Sequence, residues 1–235
     1  MFRQLYVGAT GVSALEKDMV TITNNVANSK TVGYKKSRVE MENIFPQVLA
    51  EAVTNMDLGS SQPAGIELGS GVRVVGTPKD FSQGAIEVTD NELDIAVNGT
   101  GFFMFRTSND EIAYSRAGNL NRDNYGNIVD PNGNLLEPGF VIPEETASVR
   151  IAADGTVSIT LSGETSENEI GQITLASFPN PSGLESIGNN LYTQTIASGD
   201  PLIGEANSDH YGAVSQYALE SSNVDIISSD ALYCP

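Results

Sequence analysis

Phe2, Leu5, Ala9, Val12, Leu15, Met19, Ile22 and Val26 recur three and four residues apart at the start of the chain. That spacing places them on one side of a helix of about 26 residues, roughly 39 Å long. One narrow apolar seam suits a partner helix better than a globular core. The helix is expected to stop in Asn24-Asn25-Val26-Ala27-Asn28-Ser29-Lys30-Thr31-Val32-Gly33-Tyr34-Lys35, because Asn and Gly favour caps and turns over helix interiors. Such a helix is marginal alone in water, so residues 1–35 are expected to be mobile in a free monomer. The chain begins, on this reading, with an assembly device.

The remainder has a different period. Residues 1–35 form the axial helix and its turn, and 36–71 a connector or extended arm. Within that arm, 36–58 fit either a short helix or an extended segment, and 59–71 are a connector by composition. Residues 72–205 read as an antiparallel β domain. Val72–Val75, Ala85–Val88, Leu93–Val97 and Gly101–Phe105 are short, β-branched or aromatic, and bounded by Gly, Asn and Asp. Tyr125-Gly126-Asn127, Asn132-Gly133-Asn134, Asp154-Gly155 and Ser162-Gly163 read as hairpin turns. Residues 206–235 form a return segment that passes from a strand into the start of a second helix. The fold class is therefore mainly β, with an N-terminal α-helical arm.

Charge narrows the partners. Thirty acidic residues against twelve basic ones leave a net charge of −18, which disfavours nucleic acid. Residues 1–40 hold six basic and three acidic side chains, so the arm is mildly basic and the body strongly acidic. No apolar run is long enough to span a membrane, and no membrane insertion is expected. A signal peptide, with Val12-Ser13-Ala14 as its cleavage site, competes poorly: Gly8, Thr10, Gly11 and Ser13 interrupt its apolar region and the stripe continues to Val26.

Catalytic constellations are lacking. The one histidine, His210, lies in a polar run, and Cys234 stands next to the last residue, so neither a Cys–His pair nor a zinc site has its parts. Gly69-Ser70-Gly71 and Gly99-Thr100-Gly101 both miss the last glycine of a dinucleotide fingerprint. Asp130-Pro131-Asn132-Gly133-Asn134 has oxygens at alternate positions like a calcium loop, but Leu135 and Val141 stand where that loop needs Gly and Glu. A glycosidase would need two carboxylates across a cleft, and in so acidic a chain any pair is uninformative. No enzyme activity, cofactor or metal is expected.

Four blocks, in order, resemble the flagellar rod and hook protein family. They are Asn24, Asn25, Val26, Ala27 and Asn28 with Thr31, Gly33, Tyr34 and Lys35; Leu93–Phe103, with Asn98, Gly99, Gly101, Phe102 and Phe103, followed by Tyr114-Ser115-Arg116-Ala117-Gly118; Gly183–Tyr192 with Ser198-Gly199; and Leu219–Asp225. The third block and Pro46–Ile66 most resemble the family's distal-rod members, in which an insert at this place is thought to make the rod straight and stiff. Proximal rod and hook-type axial proteins are the alternatives, and a secreted acidic β binding module is the competing class. The resemblance implies a structural subunit, exported uncleaved by the flagellar export apparatus and stacked into a helical homopolymer. That polymer would be the hollow drive shaft that transmits torque to the hook. Implied partners are other copies of itself, other flagellar rod and hook proteins, and ring proteins acting as bushings, all within the periplasm-spanning basal body. Leu5, Val12, Leu15, Met19, Ile22 and Val26 would form the assembly seam. The family continues past Asp225 with about forty more residues of amphipathic helix, comparable in reach to the first. Ten follow here, so the expectation is a chain lacking its C-terminal partner helix, with Cys234 an accident of the ending.

Overall fold

The computed structural model describes residues 2–50, 53–55, 60–62, 65–163 and 166–225. The expectation of a truncated second helix falls on 226–235, outside the described residues. The chain is mainly β with one N-terminal helix and an antiparallel β domain, and it divides into two compact units. The first comprises residues 1–25 and 37–79, the second 26–36 and 80–235.

In the first unit, α1 (Phe2–Ala27) spans 26 residues, the length the apolar spacing predicts. The described strands of the arm that follows pair as three antiparallel two-stranded ladders. Strands β1 (Glu40–Asn43), β2 (Gln47–Ala50) and β3 (Val53–Asn55) run out; β4 (Ser60–Gln62), β5 (Ile66–Leu68) and β6 (Val72–Gly76) return. The pairs are nested: Met41 faces Val74, Gln47 faces Leu68 and Val53 faces Gln62, with irregularities at Glu40/Met41 and Val48/Ala50. The three ladders keep the same offset on either side of the irregularity at Val48/Ala50. Phe45, Val48, Leu49, Ile66 and Leu68 are exposed on the arm. A two-stranded ribbon with so little covered apolar surface is marginal without further packing.

The second unit holds strands β7 (Ile86–Val88), β8 (Ile95–Asn98), β9 (Phe103–Arg106), β10 (Ile112–Ser115), β11 (Asn121–Arg122), β12 (Ile128–Val129), β13 (Leu135–Glu137), β14 (Thr146–Ile151), β15 (Thr156–Leu161), β16 (Glu167–Gln172), β17 (Thr174–Ser177), β18 (Glu185–Gly188), β19 (Leu191–Thr193), β20 (Leu202–Glu205), β21 (Ala213–Gln216) and β22 (Ala218–Glu220). Seven of them form one antiparallel sheet, ordered β11-β12-β13-β9-β10-β19-β18, and β14-β15-β16 form a second. The return segment supplies β21 and β22, which pair with β8 and β7. The sequence-predicted turns at Gly126, Gly133, Gly155 and Gly163 all have positive φ.

Strand β9 explains why Phe102–Phe105 is apolar without alternation. Phe103 and Phe105 enter the main core with Ile95, Val97, Leu120, Leu136, Val157, Ile173 and Leu175. Phe102 and Met104 point the other way, into a second cluster with Tyr114, Phe178, Leu184 and Tyr192. That cluster is built on edge-to-face rings: Phe102–Phe178 at 5.9 Å, Tyr114–Phe178 at 4.8 Å and Phe81–Tyr192 at 5.2 Å. The open edge of β14 is covered by two side chains: Ile151 N donates to Gln216 Oε1 and Gln216 Nε2 donates to Val149 O, both at 2.9 Å, and Val149 N donates to Glu92 Oε2 at 3.3 Å.

Phe103 is fully buried, so Phe103→Ala should cost about 3–5 kcal/mol. A urea titration followed by circular dichroism checks this.

Candidate assembly site

Helix α1 presents two different faces. Thr10, Ala14, Thr21, Ile22 and Asn25 are buried or half-buried, whereas Leu5, Val12, Leu15 and Met19 are 69%, 68%, 57% and 57% exposed. Val26 is also exposed, and Phe2, Tyr6 and Val20 extend the bare surface. Five of the six seam residues are therefore open, and Ile22 lies at the border of the covered face. Within the first unit the contacts this face makes with the ribbon are polar. Thr10 packs against Gly71, and Arg3 Nη2 donates to Ser70 Oγ at 3.2 Å while its Nη1 donates to Gln47. Thr21 and Thr23 return their hydroxyls to the carbonyls of Lys17 and Met19 four residues earlier.

The helix ends where the Asn/Gly pattern predicts. Asn25 Nδ2 donates to Ser37 O at 2.7 Å and Asn25 Oδ1 accepts from Ser37 N at 3.0 Å, closing residues 26–36 at their base. Asn24 and Ala27 are exposed; Asn28 accepts from Thr31 Oγ1 at 3.2 Å. Beyond Thr31 the turn is tied into the second unit. Val32 O accepts from Asn190 Nδ2 at 3.0 Å, and Gly33 N donates to Glu220 O at 2.8 Å. Gly33 has φ +67°, and a Cβ there would sit 2.5 Å from Ala117 N, so both conformation and space demand glycine.

Next to Gly33 lies the element that sequence reasoning missed. Lys35 and Glu220 are fully buried and paired, Nζ to Oε1 at 2.5 Å. Lys35 Nζ also donates to Ser82 O at 2.7 Å, and Gly84 N donates to the same Glu220 oxygen at 2.8 Å. On the other side, Arg116 Nη1 reaches Glu220 Oε2 at 3.5 Å and Nη2 donates to Gly99 O at 2.8 Å. The Arg116 guanidinium lies 5.2 Å from the centre of the Phe102 ring. Burial pushes Lys35 and Arg116 below their ordinary ranges, and Glu220 opposes that shift in both. Asn223 completes the junction: it accepts from Lys36 N at 2.8 Å and donates to Asp80 O at 2.8 Å and Ser82 Oγ at 3.1 Å.

Residues from all four sequence blocks meet here: Gly33 and Lys35, Gly99 and Arg116, Asn190, and Glu220 with Asn223. Of the β-domain motif, Phe102 and Phe103 divide between the two cores, Gly101 is buried beside Leu175, and Gln83 bonds to both Asn98 and the Gly99 amide. Asp130 is engaged by its own turn, accepting from the amides of Asn132 and Asn134 at 2.8 Å. His210 is exposed.

Comparison with known proteins matches residues 5–35 to the flagella basal body rod protein family and 96–159 to the flagellar hook protein FlgE/F/G D1 domain. The flagellar basal-body rod protein FlgG of Buchnera aphidicola subsp. Schizaphis graminum is 39% identical over 226 residues, covering 96% of this chain and 87% of its own. The chain belongs to the FlgG family of flagellar basal-body rod proteins. FlgG of Bacillus subtilis is 36% identical over 96% of the chain and 86% of its own length, and FlgG of Caulobacter vibrioides 35% over 95% and 86%. The hook protein FlgE of Treponema pallidum is 32% identical over 60% of the chain but only 30% of its own length. Membership makes this chain a structural subunit of the flagellar distal rod, in the basal body.

Two measurements test the junction. Glu220→Gln leaves two buried cations without their anion and should destabilise the protein by about 3–5 kcal/mol in urea titration, with Lys35→Met in the same chain recovering a large part. Burial also raises Tyr34, Tyr114 and Tyr192 above the usual phenol range. The folded chain should therefore hold three phenolic protons that the unfolded chain releases near pH ~10, so this contribution to stability is complete below that pH and is lost as pH rises through the folded values. Phenolate absorbance, compared with and without denaturant, reads it directly.

Proposed function

We propose that this subunit polymerises helically with copies of itself through the open face of α1, forming part of a hollow shaft that carries torque from the basal body to the hook. The observation that carries the reading is the division of labour on α1: its contacts with its own ribbon are polar, and its large apolar face is left bare. Scattered exposed apolar residues are ordinary, but a continuous stripe along one helix marks an interaction surface. Burying each large side chain of the seam would contribute about 1.5–3 kcal/mol, repeated at every subunit. Other rod and hook proteins of the same family, ring proteins that surround the shaft and the flagellar export apparatus are the further partners of this role. The role is structural, and no catalytic step is assigned to it.

On this reading the turn from Asn24 to Tyr34 and the junction around Glu220 set how axial force enters the β unit. The ribbon of residues 40–76, with exposed apolar residues on both arms, gains its remaining packing from neighbouring subunits.

Leu15→Asp combined with Met19→Asp should abolish sedimentable polymer while leaving the thermal unfolding of the β unit unchanged. Polymer yield equal to the unaltered chain's would remove the seam from assembly. Amide exchange over residues 5–26 should be fast in dilute monomer and slow by orders of magnitude on polymerisation, since only then is the apolar face covered.

A further inference from the structure

Among the described residues, neither apolar cluster has a member from the two chain segments that meet at Glu220. Both clusters are drawn from residues between Ile95 and Val214. The turn of residues 32–36 and the stretch from β22 to Asn223 instead bury Tyr34, Lys35, Ala218, Glu220 and Ser222. The ladder that β22 makes is with β7, whose three residues are all exposed. Attachment of the two segments is therefore polar. Gly33 N donates to Glu220 O and Ser221 N to Ala85 O, both at 2.8 Å. Asn190 holds Val32 O, and Asn223 holds Lys36 N, Asp80 O and the Ser82 hydroxyl. Segments attached in this way, with few apolar contacts, open at a lower free energy than the core beside them.

Charge decides what opening costs. Lys35 faces Glu220 from the turn, and Arg116 faces it from the end of β10. Arg116 Nε is buried without a hydrogen-bond partner among the described residues, so the guanidinium depends on its remaining contacts. The chain before β7 brings Asp80, half-exposed and paired with Lys36 at 3.6 Å; the Ser82 amide holds its carboxyl below the ordinary range. Strand β7 brings Glu87, exposed opposite Leu219, and the Ala218 end of β22 meets Asp94, which accepts from Asn91 Nδ2 at 2.9 Å. Burial raises the phenols of Tyr34 and Tyr192, so both stay neutral. Glu220 is the one carboxylate among the described residues that acts on both Lys35 and Arg116. Once it is neutral, two cations are left buried without their anion, and admitting water is what relieves them.

We infer that residues 32–36 and 218–223 form a charge-operated latch, which opens as one piece, with both apolar clusters intact, when Glu220 is neutralised. The latch lies wholly within the second unit, so it is independent of assembly through α1. Amide exchange of the unaltered chain at increasing urea tests it. The amides of Gly33, Lys36, Gly84 and Ser221 should open at least about tenfold more often than those of β9 and β15. Their opening should also depend less on urea, because less surface is exposed. Corrected for intrinsic exchange, it should increase between neutral and mildly acidic pH. Glu220→Gln, the isostere of the neutral acid, should raise it at least about a hundredfold at neutral pH and abolish the acid dependence, with Lys35→Met in the same chain restoring protection. If the four amides share the opening free energy and urea dependence of β9 and β15, no latch exists. If they open separately but respond neither to acid nor to Glu220→Gln, charge does not operate it, and the inference is overturned in either case. Should Glu220→Gln not fold, the acid response of the unaltered chain decides alone.

Discussion

One buried carboxylate ties together distant segments of the second unit. Glu220 lies between Lys35 and Arg116, out of water, and its two oxygens are shared among an ammonium, a guanidinium and a backbone amide. Two cations and one anion leave an excess of positive charge, and the carbonyls of Ser82 and Gly99 supply the remaining negative ends. Such a group is poor evidence for net stability, because desolvating three charges costs nearly as much as their attraction returns. Its effect is positional. The three side chains come from residues far apart in sequence, so their contacts tie the turn at residues 32–36 and strand β22 to the same place in the second unit.

The strands were legible because their causes are local. Alternation, β-branched runs and Gly/Asn turns marked β7, β8 and β9 and the turns at Gly126, Gly133, Gly155 and Gly163, and the three-and-four spacing predicted the length of α1. Sequence pattern also exposed the junction's ingredients through the four blocks, but not its chemistry. In a chain with thirty acids, nothing local distinguishes Glu220 from a solvated surface carboxylate; its burial is decided by Lys35 and Arg116, 185 and 104 residues away. The ribbon was harder still. Residues 36–58 fit helix or extended chain because both arms are exposed, and without a core face there is no period to read.

Helix α1 shows how one element can serve two addresses. The contacts to its own ribbon come from Arg3 and Thr10, so they are polar and contribute little apolar burial. The large side chains are kept on the other side. A helix that buried its best apolar surface at home would be a stabler monomer and a poorer building block.

The nested pairing of the ribbon has a consequence for how a family of such subunits can diverge. Met41–Val74, Gln47–Leu68 and Val53–Gln62 share one register, so each arm measures the other. A single inserted residue turns over every side chain beyond it, or must be absorbed as a bulge. Length can therefore change cleanly only in matched steps, a residue pair in each arm, each step worth about 7 Å. The reach of these paired arms is a quantised dimension, a ruler whose divisions are written twice in the gene, 36 codons apart at its base.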